Sequence, residues 1–114
     1  MESLDDHVKV GKAVSDPTRL KILAALSVKD LCVCELVHLM DLGQPAVSRH
    51  LGILKEAGFL VDVRDGKFVN YRLRRPAKTA YGETVLTGFL HSQNGEQDLE
   101  EFRSRAAVVD RNRI

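Results

Sequence analysis

The sequence has no tryptophan, only two cysteines and just 5% aromatic residues over 114 positions. It also lacks any apolar run near the roughly 18 residues that a membrane span needs; a stretch such as residues 22–28 is far too short. The first residues are acidic rather than basic and then apolar, so no secretory signal is predicted. These absences argue against a membrane or secreted protein and lead us to expect a soluble, cytoplasmic one.

The length allows about one domain, so a two-lobed enzyme with a cleft between its lobes is not expected. The chain has no Cys-x-x-Cys motif and no nucleophile paired with a base and an orienting group. A small thiol reductase is therefore a weak alternative, and we predict that the protein is not an enzyme. The shortage of aromatic residues also argues against a stacking platform for single-stranded nucleic acid.

The two cysteines, Cys32 and Cys34, are too few for a secreted disulfide scaffold. A bridge between two such closely spaced cysteines is expected to be strained. In a reducing cytosol the pair is more typical of a metal site or a redox-active site.

The formal net charge is only +1, but the charges are unevenly distributed along the chain. Residues 44–75 hold seven Lys or Arg against three Asp or Glu, whereas the flanking parts are slightly acidic. A basic middle third is typical of a protein that meets a polyanion with that part alone, although a solvated surface has the same composition.

Hydrophobic periodicity and capping residues predict six helices, which cover residues 4–14, 17–27, 30–40, 44–57, 79–91 and 96–105. Pro17 and Pro45 suit first-turn positions, and Gly43 is expected to adopt a positive φ at the end of the third helix. From Phe59 the period changes to about two, and Asp65-Gly66 between two alternating runs predicts a β-hairpin. Residues 93–95 are expected to end the fifth helix, and the tail after the sixth is expected to fray.

Two short helices followed directly by a hairpin predict a winged helix-turn-helix in an α+β, mostly α fold. At about 100° per residue, the fourth helix places Val47, Leu51 and Leu54 on its core side. The opposite face then carries short polar side chains and an Arg, which suit a DNA groove. The predicted contacts to double-stranded DNA are Gln44, Pro45, Ser48 and Arg49 of this helix and Arg64 and Lys67 of the hairpin tip. The alternative is a winged helix that binds only protein.

Four segments, residues 16–23, 31–36, 44–51 and 64–73, resemble the ArsR/SmtB family of metal-responsive repressors in order and spacing. The resemblance covers about residues 4–92. It implies a homodimer, formed by the first helix and the helix at 79–91, that leaves its operator DNA when an inducer binds. It also places His50 with Ser48 and Arg49 in the DNA-reading helix. The expected organisation is a DNA-binding and dimerisation domain at 1–92 and a polar C-terminal helix and tail at 93–114.

The segment that contains Cys32 and Cys34 resembles the element of arsenite-responsive members. Two sulfur ligands at a helix N-terminus favour As(III) or Sb(III), with Cd or Pb as further options, and no other cofactor is expected. In a complete helix the two side chains point about 200° apart, so sharing one ion requires a first turn that unwinds or starts late. Such members commonly have a third Cys where this chain has Val37. Solvent, a small thiol or His38 remains open as the third ligand.

An oxidation or persulfide switch at the same cysteines is the main alternative to metalloid sensing. The second metal site of the family, on the dimer-interface helix, is not supported, because Glu83 and His91 lack the usual clustered spacing. A zinc or nickel sensor is accordingly disfavoured.

Overall fold

The computed structural model describes residues 2–92 and 97–114 of the chain. The helices and strands follow one another in this order: α1 (Leu4–Ala13), α2 (Pro17–Leu26), β1 (Leu31–Cys32), α3 (Val33–Met40), α4 (Gln44–Glu56), β2 (Leu60–Asp65), β3 (Phe68–Leu73), α5 (Ala80–Ser92), α6 (Gln97–Val108) and a short 3-10 helix (Arg111–Arg113). The winged helix-turn-helix predicted from the sequence is confirmed: α3 and α4 form the helix-turn-helix, and β2 and β3 form the wing. Among the described residues, no helix combines the length and apolarity that crossing a membrane requires.

The helix starts follow from their capping residues. Ser3 and Asp6 form a reciprocal capping box at α1, and Asp16 accepts a hydrogen bond from the Arg19 backbone N–H at the start of α2. Pro45 lies in the first turn of α4, where its missing N–H leaves no intrahelical bond unmade.

The end of α3 differs from the prediction. Asp41, not Gly43, adopts the left-handed conformation there, with φ of 54°. Gly43 has φ of −68° and serves as the N-cap of α4. Because Asp tolerates the left-handed region better than most residues, the chain can turn one position after α3 without a glycine.

The sheet contains one strand more than the sequence predicted. β1 pairs antiparallel with β3, which also pairs with β2, giving the order β1-β3-β2. Asp65 pairs with Phe68, so the hairpin turn consists of Gly66 and Lys67, one position later than predicted. Gly66 supplies the positive φ of 61° that such a turn requires.

A single core joins the helices to the inner face of the sheet. Its largest fully buried side chains come from α2, β1, α3, α4, α5 and the residue before β2, and these are Ile22, Leu23, Leu31, Leu36, Leu51, Leu54, Leu86 and Phe59. At the end of α4, Gly58 has φ of 87°, and an added Cβ would collide with Cβ of Lys78. This close approach joins the hairpin to the segment that leads into α5.

The C-terminal part packs onto this core through α6. Phe102, Ala106 and Val109 are buried, and Lys29 Nζ donates hydrogen bonds to the carbonyls of Ala107 and Val109. The expectation that the tail frays was therefore wrong for the last residues, because the 3-10 helix contacts the wing. The predicted break at residues 93–95 lies outside the described residues.

Candidate DNA-binding face and thiol site

Helix α4, which is predicted to read DNA and is called the reading helix below, has one buried and one exposed face. Val47, Leu51 and Leu54 are fully buried, as the sequence predicted. The residues of α4 predicted to contact DNA are all exposed, and these are Gln44, Pro45, Ser48 and Arg49. Gly52 is exposed as well, with nothing within 4 Å of the place where a Cβ would lie, so the backbone is open to close approach there.

His50 does not belong to this exposed face. Only 9% of its surface is accessible, and its Nδ1 lies 3.0 Å from a guanidinium nitrogen of Arg19. The direct DNA contact expected for His50 is therefore not supported. The sequence carried the signal, because His50 follows Val47 by three positions and precedes Leu54 by four, which places it on the buried stripe.

The wing presents Arg64 and Lys67 at its tip, and both side chains are exposed. Lys55, at the end of α4, forms a 2.6 Å ion pair with Asp62 of β2. The hydrogen bond from Lys55 lowers the pKa of the Asp62 carboxyl, so the pair stays charged at neutral pH. This pair connects the end of α4 to the first strand of the wing, and α4 also packs against β2.

Arg111 supports the wing from the C-terminal side, a role that the sequence did not reveal. Its guanidinium pairs with Asp65 at 2.8 Å, donates to the Asn70 side chain at 3.3 Å and lies over the Phe68 ring at 4.0 Å. One side chain therefore contacts three residues of the hairpin. Its polar partners, Asn70 and Asp65, lie 41 and 46 positions away in the sequence, so no local pattern indicates these contacts.

The cysteines lie where β1 passes into α3. Cys32 is the extended N-cap residue, with φ of −83° and ψ of 165°, and Cys34 is in the first turn. Because α3 begins only at Val33, Cys32 lies outside the helix. Two sulfurs at these positions can share one ion only when the first turn unwinds or the helix starts late, as it does here. The Cα atoms are 5.4 Å apart, and the sulfurs are joined in a disulfide. The bridge was not expected from the spacing, but the extended backbone at Cys32 brings the pair within the usual range for one.

The surroundings of the two sulfurs differ. Cys32 is buried, with 1% of its surface accessible, whereas Cys34 is partly exposed. The Cys32 backbone N–H donates to the Glu35 carboxylate at 2.9 Å, and Cys32 pairs with Asn70 of β3. The thiol pair is thereby connected both to the first turn of α3 and to β3, which is the central strand of the sheet and part of the wing.

A cavity of about 690 Å³ opens beside the thiol pair. Both cysteines line it, together with residues from α3, the start of α4, the wing and the C-terminal segment: Val33, Val37, His38, Gln44, Lys67, Phe68, Val69, Arg111 and Ile114. It therefore touches both parts of the predicted DNA-binding face.

No second metal site is evident in the described parts of the chain. Residues 2–92 and 97–114 contain no group of three or more His, Cys, Asp or Glu side chains placed to hold an ion. Glu83 has a structural role instead: it accepts from the Ala77 backbone N–H at 3.0 Å and pairs with Arg75 at 2.9 Å. The pKa of the Glu83 carboxyl is lowered mainly by the hydrogen bond from the Ala77 backbone and then by the one from Arg75.

Comparison with known sequences gives matches to regulatory proteins. A family model described as "Bacterial regulatory protein, arsR family" matches residues 16–61. The "Arsenical resistance operon repressor" of Escherichia coli (strain K12) is 46% identical over 67 residues, which are 58% of this chain and 57% of the repressor. The chain thus spans little more than half of that relative. The "Transcriptional repressor SdpR" of Bacillus subtilis (strain 168) is 42% identical over 64 residues, which are 56% of this chain and 71% of SdpR.

Comparison with solved structures supports the same fold. The solution structure of Mb0332 from Mycobacterium bovis superposes with a TM-score of 0.65 at 28% sequence identity, and the match covers 86% of this chain and 84% of that one. That protein is described as a homodimeric winged helix-turn-helix DNA-binding domain of a possible ArsR-family transcriptional regulator.

Proposed function

Because the chain belongs to the arsR family of bacterial regulatory proteins, we propose that it is a transcriptional repressor released from operator DNA by a thiol-binding inducer. Arsenite or antimonite, captured by Cys32 and Cys34, is the inducer that we favour. The observation that carries this proposal is the position of the two sulfurs, in contact with each other at the junction of β1 and α3.

The exposed face of α4 and the wing tip supply the DNA contacts in this proposal. Gln44 and Arg49 can donate to phosphates or base edges, and Ser48 is small enough for close approach to the groove. Arg64 and Lys67 lie at the wing tip, where they can reach phosphates beside the groove that α4 occupies. The proposed DNA contacts therefore all lie in the basic third of the chain.

A homodimer is the form in which we expect the repressor to bind. Leu4 and Val8 of α1 and Tyr81 of α5 are large apolar side chains that expose 79%, 44% and 43% of their surface. The helices that carry them pack against each other, where Gly82 approaches Val10. An isologous contact through this surface would bury these side chains and place two reading helices on one duplex.

The thiol pair suits a soft ion once the disulfide is reduced. Thiolates select soft ions over hard, oxygen-preferring ions such as Mg²⁺. The E. coli relative, by its name, represses an arsenical resistance operon, which favours As(III) over Cd or Pb. In the ion-bound state an arsenic atom would stand between the sulfurs that the disulfide joins directly.

Ion binding at Cys32 and Cys34 is coupled to DNA binding through the elements that these residues contact. Inserting an ion separates the two sulfurs, which displaces Cys32 at the N-cap of α3 and strains its hydrogen bond to Glu35. Helix α3 packs on α4, and Cys32 pairs with Asn70 of the wing. Both DNA-contacting parts are thus displaced by one event, and inducer and DNA weaken each other's binding reciprocally.

A fluorescence anisotropy titration tests this proposal. The reduced protein is bound to a labelled duplex from upstream of its own gene, and arsenite is then added. We expect arsenite to release the wild type and to leave the Cys34→Ser variant bound. Cys34 is the better target because it is partly exposed, whereas Cys32 is buried.

Matched arms separate the alternatives. His38→Ala, an exposed substitution one turn from Cys34, should release as the wild type does. Normal release of Cys34→Ser by arsenite would overturn the thiol assignment. Release of the wild type by peroxide or polysulfide, with no response to arsenite, would establish the redox switch in place of metalloid sensing.

A further inference from the structure

We propose that the cavity beside Cys32 and Cys34 binds a small carboxylate-bearing thiol, whose sulfur becomes the third ligand of arsenite. This inference rests on the proposed function, because it concerns the same pair of cysteines. A volume of about 690 Å³ is in the range of roughly 300–1,000 Å³ in which proteins hold small molecules.

The protein supplies only two of the three sulfurs that arsenic(III) can bind. In the described residues no third His, Cys, Asp or Glu side chain completes the pair. Val37 lines the cavity with an aliphatic side chain. His38 lines the cavity as well, but it forms no three-donor group with the two cysteines in the described residues. In this proposal the third ligand therefore comes from a molecule outside the chain.

The chemistry is a ligand exchange without oxidation or reduction. Arsenite enters as As(OH)₃, and three thiols, two from the reduced protein and one from the small molecule, displace its three hydroxyl groups. Three As–O bonds break and three As–S bonds form. Each thiol proton leaves with a hydroxide as water, so one arsenite releases three water molecules.

The charge of the cavity wall favours an anionic thiol over a neutral one. Lys67 lines the cavity, and none of the ion pairs within 4.0 Å in the described parts of the chain involves it. Arg111 lies on the same wall, where it already pairs with Asp65. A carboxylate of the thiol would find in Lys67 an ammonium that has no competing carboxylate.

The position of Lys67 links this site to DNA release. The same ammonium is exposed at the wing tip and belongs to the proposed DNA contacts. A carboxylate bound to Lys67 would compete with a DNA phosphate for it. The small thiol would thus weaken DNA binding in addition to the weakening caused by the displacement of α3.

The test uses the full chain, reduced with a phosphine so that no thiol is carried over. Arsenite binding is followed by the near-ultraviolet absorption of As–S bonds, and bound species are weighed by native mass spectrometry. Glutathione is the carboxylate-bearing probe, and 2-mercaptoethanol at equal thiolate concentration is the neutral one. We expect a species containing protein, arsenic and glutathione. Arsenite affinity should be up to about fivefold higher with glutathione than with 2-mercaptoethanol, as one exposed ion pair provides.

Two variants of equal charge change locate the effect. Lys67→Gln should lower the arsenite affinity measured with glutathione to about the affinity measured with 2-mercaptoethanol. Arg64→Gln removes a wing-tip cation that does not line the cavity, and it should keep the advantage. Arsenite bound without a thiol adduct, or equal enhancement by both thiols, would overturn this inference and leave the proposed function intact. Retention of arsenite by Cys34→Ser would overturn both.

Discussion

The Arg19 guanidinium lies 3.0 Å from Nδ1 of His50 and donates two more hydrogen bonds, to the carbonyls of Lys12 and Ala13 at 2.8 and 2.9 Å. One side chain therefore joins the end of α1, the start of α2 and the middle of the reading helix. Since arginine has only donors, Nδ1 of His50 must be the acceptor, and its ring is neutral with the proton on Nε2.

This contact makes stability depend on pH. Burial lowers the pKa of His50, Asp16 raises it, and the cations of Arg19 and Arg49 lower it further. In the unfolded chain the ring takes up its proton near pH 6.5, and in the folded protein only at lower pH. The unfolded state then binds more protons, so the free energy of unfolding should fall as the pH drops below about 6.5.

Urea denaturation at a series of pH values checks this expectation. His50→Gln, which cannot titrate, should show a shallower fall between about pH 6.5 and pH 5 than the wild type. His91→Gln, at the exposed end of α5, is the matched control and should fall as steeply as the wild type. An unchanged slope in His50→Gln would mean that His50 does not cause the pH dependence.

The salt dependence of DNA binding tests the proposed DNA face. Arg49→Ala and Lys67→Ala should each weaken operator binding and reduce the slope of log K against log salt by about one counterion. Arg105→Ala removes an exposed cation of α6, away from α4 and the wing, and should leave the slope as it is. Equal slopes in all four proteins would exclude phosphate contacts at both positions.

The elements that have short-range residue patterns could be predicted from the sequence. The spacing of Val47, Leu51 and Leu54 identified the buried face of α4, and Asp65-Gly66 between alternating runs identified the wing, with its turn placed one position too early. Such signals depend on residues within a turn or two of one another. The late start of α3 could not be read in this way, because β1 is only two residues long and exists through its pairing with β3.

The contacts of the C-terminal segment with the core and the wing could not be predicted from the sequence. Phe102, Ala106 and Val109 are spaced by four and three positions, as on one face of a helix, yet the polar majority of α6 concealed this narrow stripe. The ion pair of Arg111 with Asp65 depends on the whole fold, and nothing near either residue indicates it. The sequence therefore showed the reading helix but not what supports the wing.

Phe102 should be as important to stability as a residue of the main core. It is 7% exposed, so Phe102→Ala should lower the free energy of unfolding by about 3–5 kcal/mol. Val108→Ala is the control, since Val108 is 79% exposed and its loss should cost less than about 0.5 kcal/mol. If urea denaturation gave similar small losses for both, α6 would be an appendage rather than part of the fold.

Arg111 should determine how firmly the wing is held while contributing little to global stability. Its ion pair with Asp65 is partly exposed, and exposed pairs and cation–π contacts each contribute up to about 1 kcal/mol. Arg111→Gln removes both contacts and should therefore lower the free energy of unfolding by about 1–2 kcal/mol. Hydrogen exchange of the backbone amides in β2 and β3 should nevertheless become faster, because the wing opens locally more often.

Arg113→Gln is the matched control for this substitution. The Arg113 side chain is 86% exposed, and within residues 2–92 and 97–114 its one ion pair is with Asp110, three positions away, so its loss should leave exchange in the wing unchanged. Operator affinity then distinguishes two roles for Arg111. A positioning residue predicts weaker binding with an unchanged salt slope, because the phosphate contacts remain and only their geometry is less fixed. A slope reduced by about one counterion would instead mean that Arg111 itself contacts a phosphate.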